Sequence, residues 1–150
     1  MNLTEQKFWQ LINKHLPGDV SRVENSVDDG MPDVNGTYVV DYWAELKVCS
    51  NDRKIRNVLK LLRDTQIVWI MRRCKFGAIV FVIVRYETFI VIYNFDNRIF
   101  ANKLENMEVA YVRLAIVNKT NEFDWSLFRK TILNTIERRI YGICNSGTRG

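Results

Sequence analysis

The chain has 150 residues, of which 47% are hydrophobic, 12% aromatic and 26% charged. This length and composition predict one compact domain with a substantial core, and they exclude a disordered or collagen-like chain. The longest run of large apolar residues, 79–84, is far shorter than the roughly 20 residues of a membrane-spanning helix, and the first thirty residues are amphipathic and charged. We therefore expect an intracellular protein without a membrane partner.

The charge is distributed unevenly along the chain, although the net charge is only +5. Residues 1–46 carry three Lys/Arg against eight Asp/Glu, whereas residues 47–75 carry nine against two. An acidic stretch followed by a basic one suits a metal-dependent phosphodiester enzyme, in which carboxylates bind the cation and basic side chains contact the nucleic acid backbone. Ordinary surface charge explains the same distribution equally well.

Cysteine and histidine usage excludes several kinds of metal chemistry. Cys49, Cys74 and Cys144 have no CxxC spacing, so neither a disulfide framework nor a structural zinc site is predicted. The single histidine, His15, excludes chemistry that needs several histidines.

The chain up to residue 62 is predicted to form one helix followed by strands. Thr4 caps a helix whose apolar residues recur at helical spacing until Pro17-Gly18 ends it. Short runs with strand character follow, separated by polar turns, at residues 20–24, from about residue 33, and at residues 42–48. Asn35-Gly36 is a turn signal that either interrupts the second strand or starts a hairpin. Residues 58–62 are ambiguous between a strand and a short helical run.

The rest of the chain is predicted to contain a helix, more strands and a closing helix. Asp64 or Thr65 caps the first of these helices, and Gly77 ends it. Asp124 caps an amphipathic closing helix that ends just before Gly142. Segments rich in Val, Ile, Phe and Tyr predict strands at residues 78–85, 89–95 and 110–117. The expected fold class is α/β, with a central mixed β-sheet flanked by helices.

The stretch most informative about chemistry contains Asp33, Glu45 and Lys47. Residues two apart in a strand point to the same face, so Glu45 and Lys47 project together from the third strand. If Asp33 begins the neighbouring strand, two carboxylates converge on one spot, and a hard divalent cation such as Mg²⁺ prefers such oxygen ligands. Lys47 would then lie beside a metal-bound water, whose pKa the metal lowers.

Each of these residues also has an ordinary structural explanation. Pro32-Asp33 is a common turn start, and Glu-x-Lys on a strand edge is often a solvated face. The four residues together, Pro32, Asp33, Glu45 and Lys47, are a rarer pattern, because four specified residues at such separations arise by chance in roughly one chain per hundred. Apolar neighbours such as Trp43 and Leu46 also make embedded charges costly unless a partner or a metal is present.

Asp33, Glu45 and Lys47, with their separation and apolar flanks, resemble the signature of the PD-(D/E)xK nuclease superfamily, which has the restriction-endonuclease-like fold. Residues 30–47, 62–69 and 77–85 resemble more narrowly its VRR-NUC-like and Holliday-junction-resolvase-like branch, which is common in phages and prokaryotes. The resemblance covers about residues 5–93. It implies an α-β-β-β-α-β core within a single nuclease domain over residues 1–150, in which residues 96–144 form a C-terminal extension.

The resemblance implies an Mg²⁺- or Mn²⁺-dependent DNA endonuclease that favours branched DNA and serves DNA recombination or repair. Asp33 and Glu45 would be metal ligands together with the Leu46 carbonyl, and Lys47 would position or activate water. In that branch a glutamine opens the helix after the Glu-x-Lys strand and points toward the catalytic centre, and Gln66 is the matching position. The expected location is the cytoplasm of a prokaryotic cell or a phage-infected host.

A third carboxylate has two candidates. Glu5 matches a glutamate on the first helix that often completes the site in this family, although an acidic residue in a first helical turn is also stabilised by the helix dipole. Glu24, on the strand before the motif, competes for the same metal. The sequence does not decide between the two.

Basic residues flank the motif on both sides of the helix predicted after it. We expect some of them to contact phosphates, which would make binding fall steeply with salt, and the others to be solvated surface. The loop at residues 50–54, directly after Lys47, is the best single candidate for such contacts. The candidate nucleic-acid-binding residues are Arg53, Lys54, Arg56, Lys60, Arg63, Arg72 and Arg73.

Two alternatives to a junction resolvase stay open. A resolvase cuts two strands symmetrically and therefore requires a twofold homodimer, for which the closing helix is a candidate interface. A flap, single-strand or nicking nuclease would use the same fold without this requirement. A non-catalytic DNA-binding protein would retain only the fold. The intact set of Asp33, Glu45 and Lys47 argues against this last alternative, because clustered carboxylates repel phosphate.

Overall fold

The computed structural model describes residues 3–24, 28–50, 57–95, 111–118 and 123–148. In these ranges it contains one six-stranded mixed β-sheet and three α-helices. The helices are α1 (Leu3–Ile12), α2 (Asp64–Lys75) and α3 (Trp125–Thr148). The strands are β1 (Asp19–Arg22), β2 (Val34–Tyr38), β3 (Val40–Cys49), β4 (Val80–Tyr86), β5 (Phe89–Phe95) and β6 (Tyr111–Asn118). The predicted α/β class with a mixed sheet flanked by helices is confirmed.

The strands lie across the sheet in chain order, β1-β2-β3-β4-β5-β6. Neighbouring strands are antiparallel except β3 and β4, which run parallel and are joined by the crossover that contains α2. A parallel pair needs a long crossover of this kind, whereas antiparallel neighbours can be joined by tight turns. As a result, β3 lies between an antiparallel and a parallel neighbour near the middle of the sheet.

The helices cover both faces of this sheet. On one face, Phe8 of α1 and Phe128 of α3 pack in the same buried cluster as Leu46 of β3. On the other face, Trp69 of α2 packs against buried valines of β4. Because successive strand residues point to opposite faces, Leu46 faces α1 and α3, whereas Glu45 faces α2. No helix in the described ranges is long and apolar enough to cross a membrane.

Several element boundaries follow the signals in the sequence. α1 continues into the 3-10 turn Asn13–His15 just before the predicted Pro17-Gly18 stop. The ambiguous segment at 58–62 is also a 3-10 turn, Val58–Leu61. Asp124 caps α3 as predicted, because its Oδ1 accepts a hydrogen bond from the Leu127 N–H at 2.9 Å.

The predicted turn at Asn35-Gly36 is wrong. Both residues lie inside β2, and the chain turns into β3 at Val39, whose φ of 66° is in the left-handed region. Gly36 is needed for packing instead, because a Cβ there would lie 2.3 Å from Cζ of the buried Tyr42 ring. The Tyr42 hydroxyl donates a hydrogen bond to the Pro17 carbonyl at 2.7 Å, so the ring cannot move aside without losing this bond.

Two predictions at helix ends are also wrong. α3 does not end before Gly142 but continues to Thr148. A glycine inside a helix costs only about 1 kcal/mol relative to alanine, so it does not by itself stop a helix with a long apolar stripe. The N-cap of α2 is Arg63, and Asp64 is the first helical residue rather than the cap.

Replacing Gly36 with alanine is expected to lower the free energy of unfolding by about 1–3 kcal/mol, as overpacking a filled core does. Gly142→Ala is the matched control, since the Cβ it would add faces open space beyond its own stretch of helix. That substitution should raise the free energy of unfolding by about 0.5–1 kcal/mol through helix propensity. Urea denaturation followed by circular dichroism measures both, and equal effects of the two substitutions would contradict the packing role of Gly36.

Candidate active site

Four polar side chains from three separate segments meet on the α2 side of β3. Asp33 directly precedes β2, Glu45 and Lys47 lie on β3, and Gln66 lies in the first turn of α2. Hydrogen bonds and an ion pair connect all four residues through Glu45. The structure therefore brings together the three residues of the predicted motif and the predicted glutamine.

The edge of β3 explains how Asp33 reaches the other residues. β2 pairs with β3 only as far as Val34 and Ala44, and within the described residues the rest of β3 has a ladder partner only in β4. Asp33 extends the ladder with its side chain, because its Oδ2 accepts a hydrogen bond from the Leu46 N–H at 3.3 Å. The N–H and C=O of one strand residue point to the same side, so the Leu46 carbonyl shares this edge with Asp33.

Glu45 is the centre of the network and is only 2% exposed. Its Oε1 accepts a hydrogen bond from Gln66 Nε2 at 2.6 Å and lies 3.4 Å from Lys47 Nζ. Its Oε2 accepts a hydrogen bond from the Asp33 backbone N–H at 3.2 Å. Both carboxyl oxygens therefore have donors, which offsets part of the cost of burying this group.

The environment of Glu45 favours its protonated form. Burial first, and the nearby Asp33 carboxylate second, raise the pKa of Glu45 from its ordinary value near 4.5 to about 8. The Lys47 ammonium and the hydrogen bond from the Asp33 backbone act in the opposite direction but do not cancel the rise. Proton binding at Glu45 is therefore favoured in the metal-free protein compared with an exposed glutamate, and any proton held there must leave when the carboxylate binds a cation.

Both polar atoms of the Gln66 side-chain amide form hydrogen bonds. Its Oε1 accepts a hydrogen bond from the backbone N–H of Arg63 at 2.9 Å, so its Nε2 is the atom that faces Glu45. The start of α2 thus directs a hydrogen-bond donor at the buried carboxyl group. The sequence identified Gln66 but not the role of the Arg63 backbone. A glutamine three residues after an N-cap is the pattern of a capping box, and this pattern could have indicated the bond.

The two candidates for a third carboxylate lie on elements other than those that form the cluster. Glu24 follows β1, two strands away from β3, where its side chain is 82% exposed and pairs with Arg22 at 3.7 Å. Glu5 is half-buried in α1, which packs against the face of β3 opposite to Glu45. The described residues contain no group of three or more His, Cys, Asp or Glu side chains that could hold a metal ion.

Of the basic residues predicted to bind nucleic acid, those that the structure describes lie on α2 and in the segment directly before it. Arg53, Lys54 and Arg56, and with them most of the loop at residues 50–54, lie outside the described residues. Two of the exposed basic residues form ion pairs, Arg63 with Asp29 at 3.4 Å and Arg72 with Asp28 at 4.0 Å. The exposed members of the predicted set are Lys60, Arg63, Arg72 and Arg73.

An open cleft of about 510 Å³ lies at the carboxyl ends of the parallel strands β3 and β4. In α/β sheets ligands commonly bind beyond the carboxyl ends of parallel strands. Arg85 contributes a basic side chain to this cleft that the sequence interpretation did not select. The cleft is lined by Thr4, Val48, Cys49, Ser50, Arg85 and Glu87.

No protein-family model matches this chain, and no curated protein matches it either. The chemistry of the site therefore has to be inferred from the residues themselves. Their arrangement offers two carboxyl groups, one backbone carbonyl, one ammonium group and one amide donor at one point on β3, where its pairing with β2 ends.

The pKa of Glu45 predicts how the stability of the metal-free protein depends on pH. Because this pKa is higher in the folded than in the unfolded chain, the folded state binds the proton more tightly between about pH 4.5 and pH 8. The contribution of Glu45 to the free energy of unfolding should therefore fall as pH rises through this window and stay constant above it. Glu45→Gln, which cannot titrate, should flatten the profile measured by urea denaturation in EDTA.

Glu24→Gln is the matched control for this experiment, since the Glu24 side chain is 82% exposed. It should keep the pH dependence of the wild-type protein. Identical pH profiles for the wild type and Glu45→Gln would contradict the raised pKa of Glu45.

Proposed function

We propose that this protein is an Mg²⁺- or Mn²⁺-dependent deoxyribonuclease of the PD-(D/E)xK type, an endonuclease that hydrolyses phosphodiester bonds in DNA. The observation that carries the proposal is the network around Glu45, in which Asp33, Lys47 and Gln66 converge from three segments. The order α1-β1-β2-β3-α2-β4 supports it further, since it agrees with the α-β-β-β-α-β core that the family resemblance implies.

The oxygen donors of the site fit a hard divalent cation. Asp33 and Glu45 offer carboxylate oxygens, and the Leu46 carbonyl lies at the same edge of β3. Mg²⁺ is commonly held by one or two carboxylates and keeps several of its waters, so this set is sufficient. We assign Asp33, Glu45 and the Leu46 carbonyl as the ligands, with Glu45 in its ionised form.

When bound, the cation would lower the pKa of a coordinated water and offset negative charge that develops on the phosphate. Lys47 is partly accessible, with 15% of its side chain exposed, and its Nζ lies 3.4 Å from Glu45 Oε1. Its ammonium group can therefore hold a water or a phosphate oxygen beside the carboxylates. Gln66 fixes the position of Glu45 Oε1 through its 2.6 Å hydrogen bond.

The surroundings of the site support a nucleic acid substrate. The cleft beyond the carboxyl ends of β3 and β4 begins at Val48, the residue after Lys47, and Arg85 lines it from the face of the sheet opposite to Lys47. Exposed basic side chains on α2 would add phosphate contacts on the other face of the sheet. We further propose that the enzyme prefers branched DNA and acts as the twofold homodimer that symmetric cleavage requires.

Substituting the catalytic residues should abolish metal-dependent cleavage of DNA. Asp33→Ala and Lys47→Ala are each expected to lower the cleavage rate by at least about 100-fold, the effect of losing a ligand or a group that positions water. Asp41→Ala and Lys14→Ala remove exposed residues of the same types outside both the network and the predicted DNA-binding set, and they should keep wild-type rates. The assay uses labelled four-way junction, flap, single-stranded and linear duplex DNA with Mg²⁺, Mn²⁺ or EDTA.

The preferred substrate distinguishes a junction resolvase from a flap or single-strand nuclease. Preferred cutting of the four-way junction by a dimer would support a resolvase, whereas preferred cutting of flap or single-stranded DNA by a monomer would support the alternative nuclease. DNA binding without cleavage, unchanged in Asp33→Ala and Lys47→Ala, would contradict the proposal and leave a DNA-binding protein.

A further inference from the structure

The turn at residues 28–30 lies against α2. Asp28 Oδ2 accepts a hydrogen bond from the indole Nε1–H of Trp69 at 3.2 Å and lies 4.0 Å from Nη2 of Arg72. Trp69 is only 1% exposed, and a buried indole N–H needs an acceptor. The Asp28 carboxylate supplies that acceptor from a position 41 residues earlier in the chain.

Gly30 brings the backbone of the same turn onto the first turn of α2. Its φ of 95° is in the region that favours glycine, and a Cβ there would lie 2.2 Å from the Thr65 carbonyl oxygen and 3.0 Å from the Gln66 nitrogen. Any larger residue would therefore both strain the turn and push it away from α2. The contact lies directly beside Gln66, the residue that holds Glu45.

Only two residues connect this turn to Asp33, and both restrict its movement. Met31 packs against the buried cluster that contains Trp69. Pro32 is buried, and its ring fixes one backbone dihedral. The position of the turn on α2 therefore determines where Asp33 lies relative to Gln66.

The β-sheet alone does not fix the position of Asp33 relative to Gln66. The ladder between β2 and β3 positions Asp33 relative to Glu45, but Gln66 belongs to α2, which is outside the sheet. An anchor from the turn to α2 connects the two parts of the cluster. A shift of α2 relative to the turn would lengthen the 2.6 Å bond from Gln66 to Glu45.

We propose that Asp28, Gly30 and Trp69 are positioning residues that hold Asp33 and Gln66 in the arrangement needed around Glu45. This inference rests on the proposed nuclease function for its effect on catalysis, but its effect on the metal-free site can be measured without activity. Asp29 belongs to the same turn but plays no part, because its ion pair with Arg63 joins side chains that are 66% and 65% exposed.

The first test measures hydrogen exchange of the Gln66 side-chain amide by NMR in the metal-free protein. Trp69→Phe removes the N–H donor and keeps an aromatic ring, and Asp28→Ala removes the acceptor. Each should accelerate this exchange about tenfold, the effect of losing one buried hydrogen bond. Asp28→Asn keeps an acceptor oxygen, and Asp29→Asn is the matched control; both should stay within about twofold of the wild type.

The backbone amide of Ile83, in the core on the opposite face of the sheet, is the internal reference. Unchanged Gln66 exchange in both Trp69→Phe and Asp28→Ala would overturn the inference. Equal acceleration at Gln66 and Ile83 would also overturn it, because the turn would then stabilise the whole fold without positioning the site.

The second test measures the Mg²⁺ concentration for half-maximal DNA cleavage. Trp69→Phe should raise it about tenfold, as the loss of a residue that orients metal ligands does, while Asp29→Asn should leave it unchanged. An unchanged value in Trp69→Phe would overturn the catalytic part of the inference. If the wild-type protein neither binds metal nor cuts DNA, the proposed function fails, and the Gln66 exchange still decides whether the turn positions the cluster.

Discussion

The burial of one carboxyl group, that of Glu45, is the constraint on which the rest of the site depends. A carboxylate removed from water on a central strand costs several kcal/mol unless donors surround it. Here three donors reach it: the Asp33 backbone, Gln66 and Lys47. The fold must therefore bring the start of β2 and the start of α2 to the same point on β3. A site assembled in this way has fixed geometry and partial access to solvent through Lys47.

The features of the site that depend on local backbone geometry could be predicted from the sequence. Glu45 and Lys47 share a face because strand residues alternate, and this follows from their spacing alone. Gln66 could be assigned to a helix start because turn residues precede an amphipathic pattern there. The capping of α3 by Asp124 follows from similarly local chemistry. The α/β class follows from the alternation of helical and strand patterns along the chain.

The features that depend on distant partners could not be predicted. Gly36 gives a local turn signal, but its role is set by the Tyr42 ring on the neighbouring strand. Asp28 reads as a surface turn residue, yet its hydrogen-bond partner, Trp69, is 41 residues away. Sequence patterns over a few residues do not indicate such pairings. The pairing of Asp28 with Trp69 arises only because the crossover between β3 and β4 places α2 on the sheet. The same limit applies to Arg85, whose place in the cleft at the ends of β3 and β4 follows from the parallel pairing of these strands.

Calorimetric titration with Mn²⁺ at pH 7, in two buffers of different ionisation enthalpy, tests the central claim most directly. If Glu45 is a buried, protonated ligand that must ionise to bind the cation, binding should release about one proton per Mn²⁺ from the wild-type protein. Glu45→Gln should bind more weakly and release no proton. Mn²⁺ binding without proton release, or binding that is identical in the wild type and Glu45→Gln, would contradict the account.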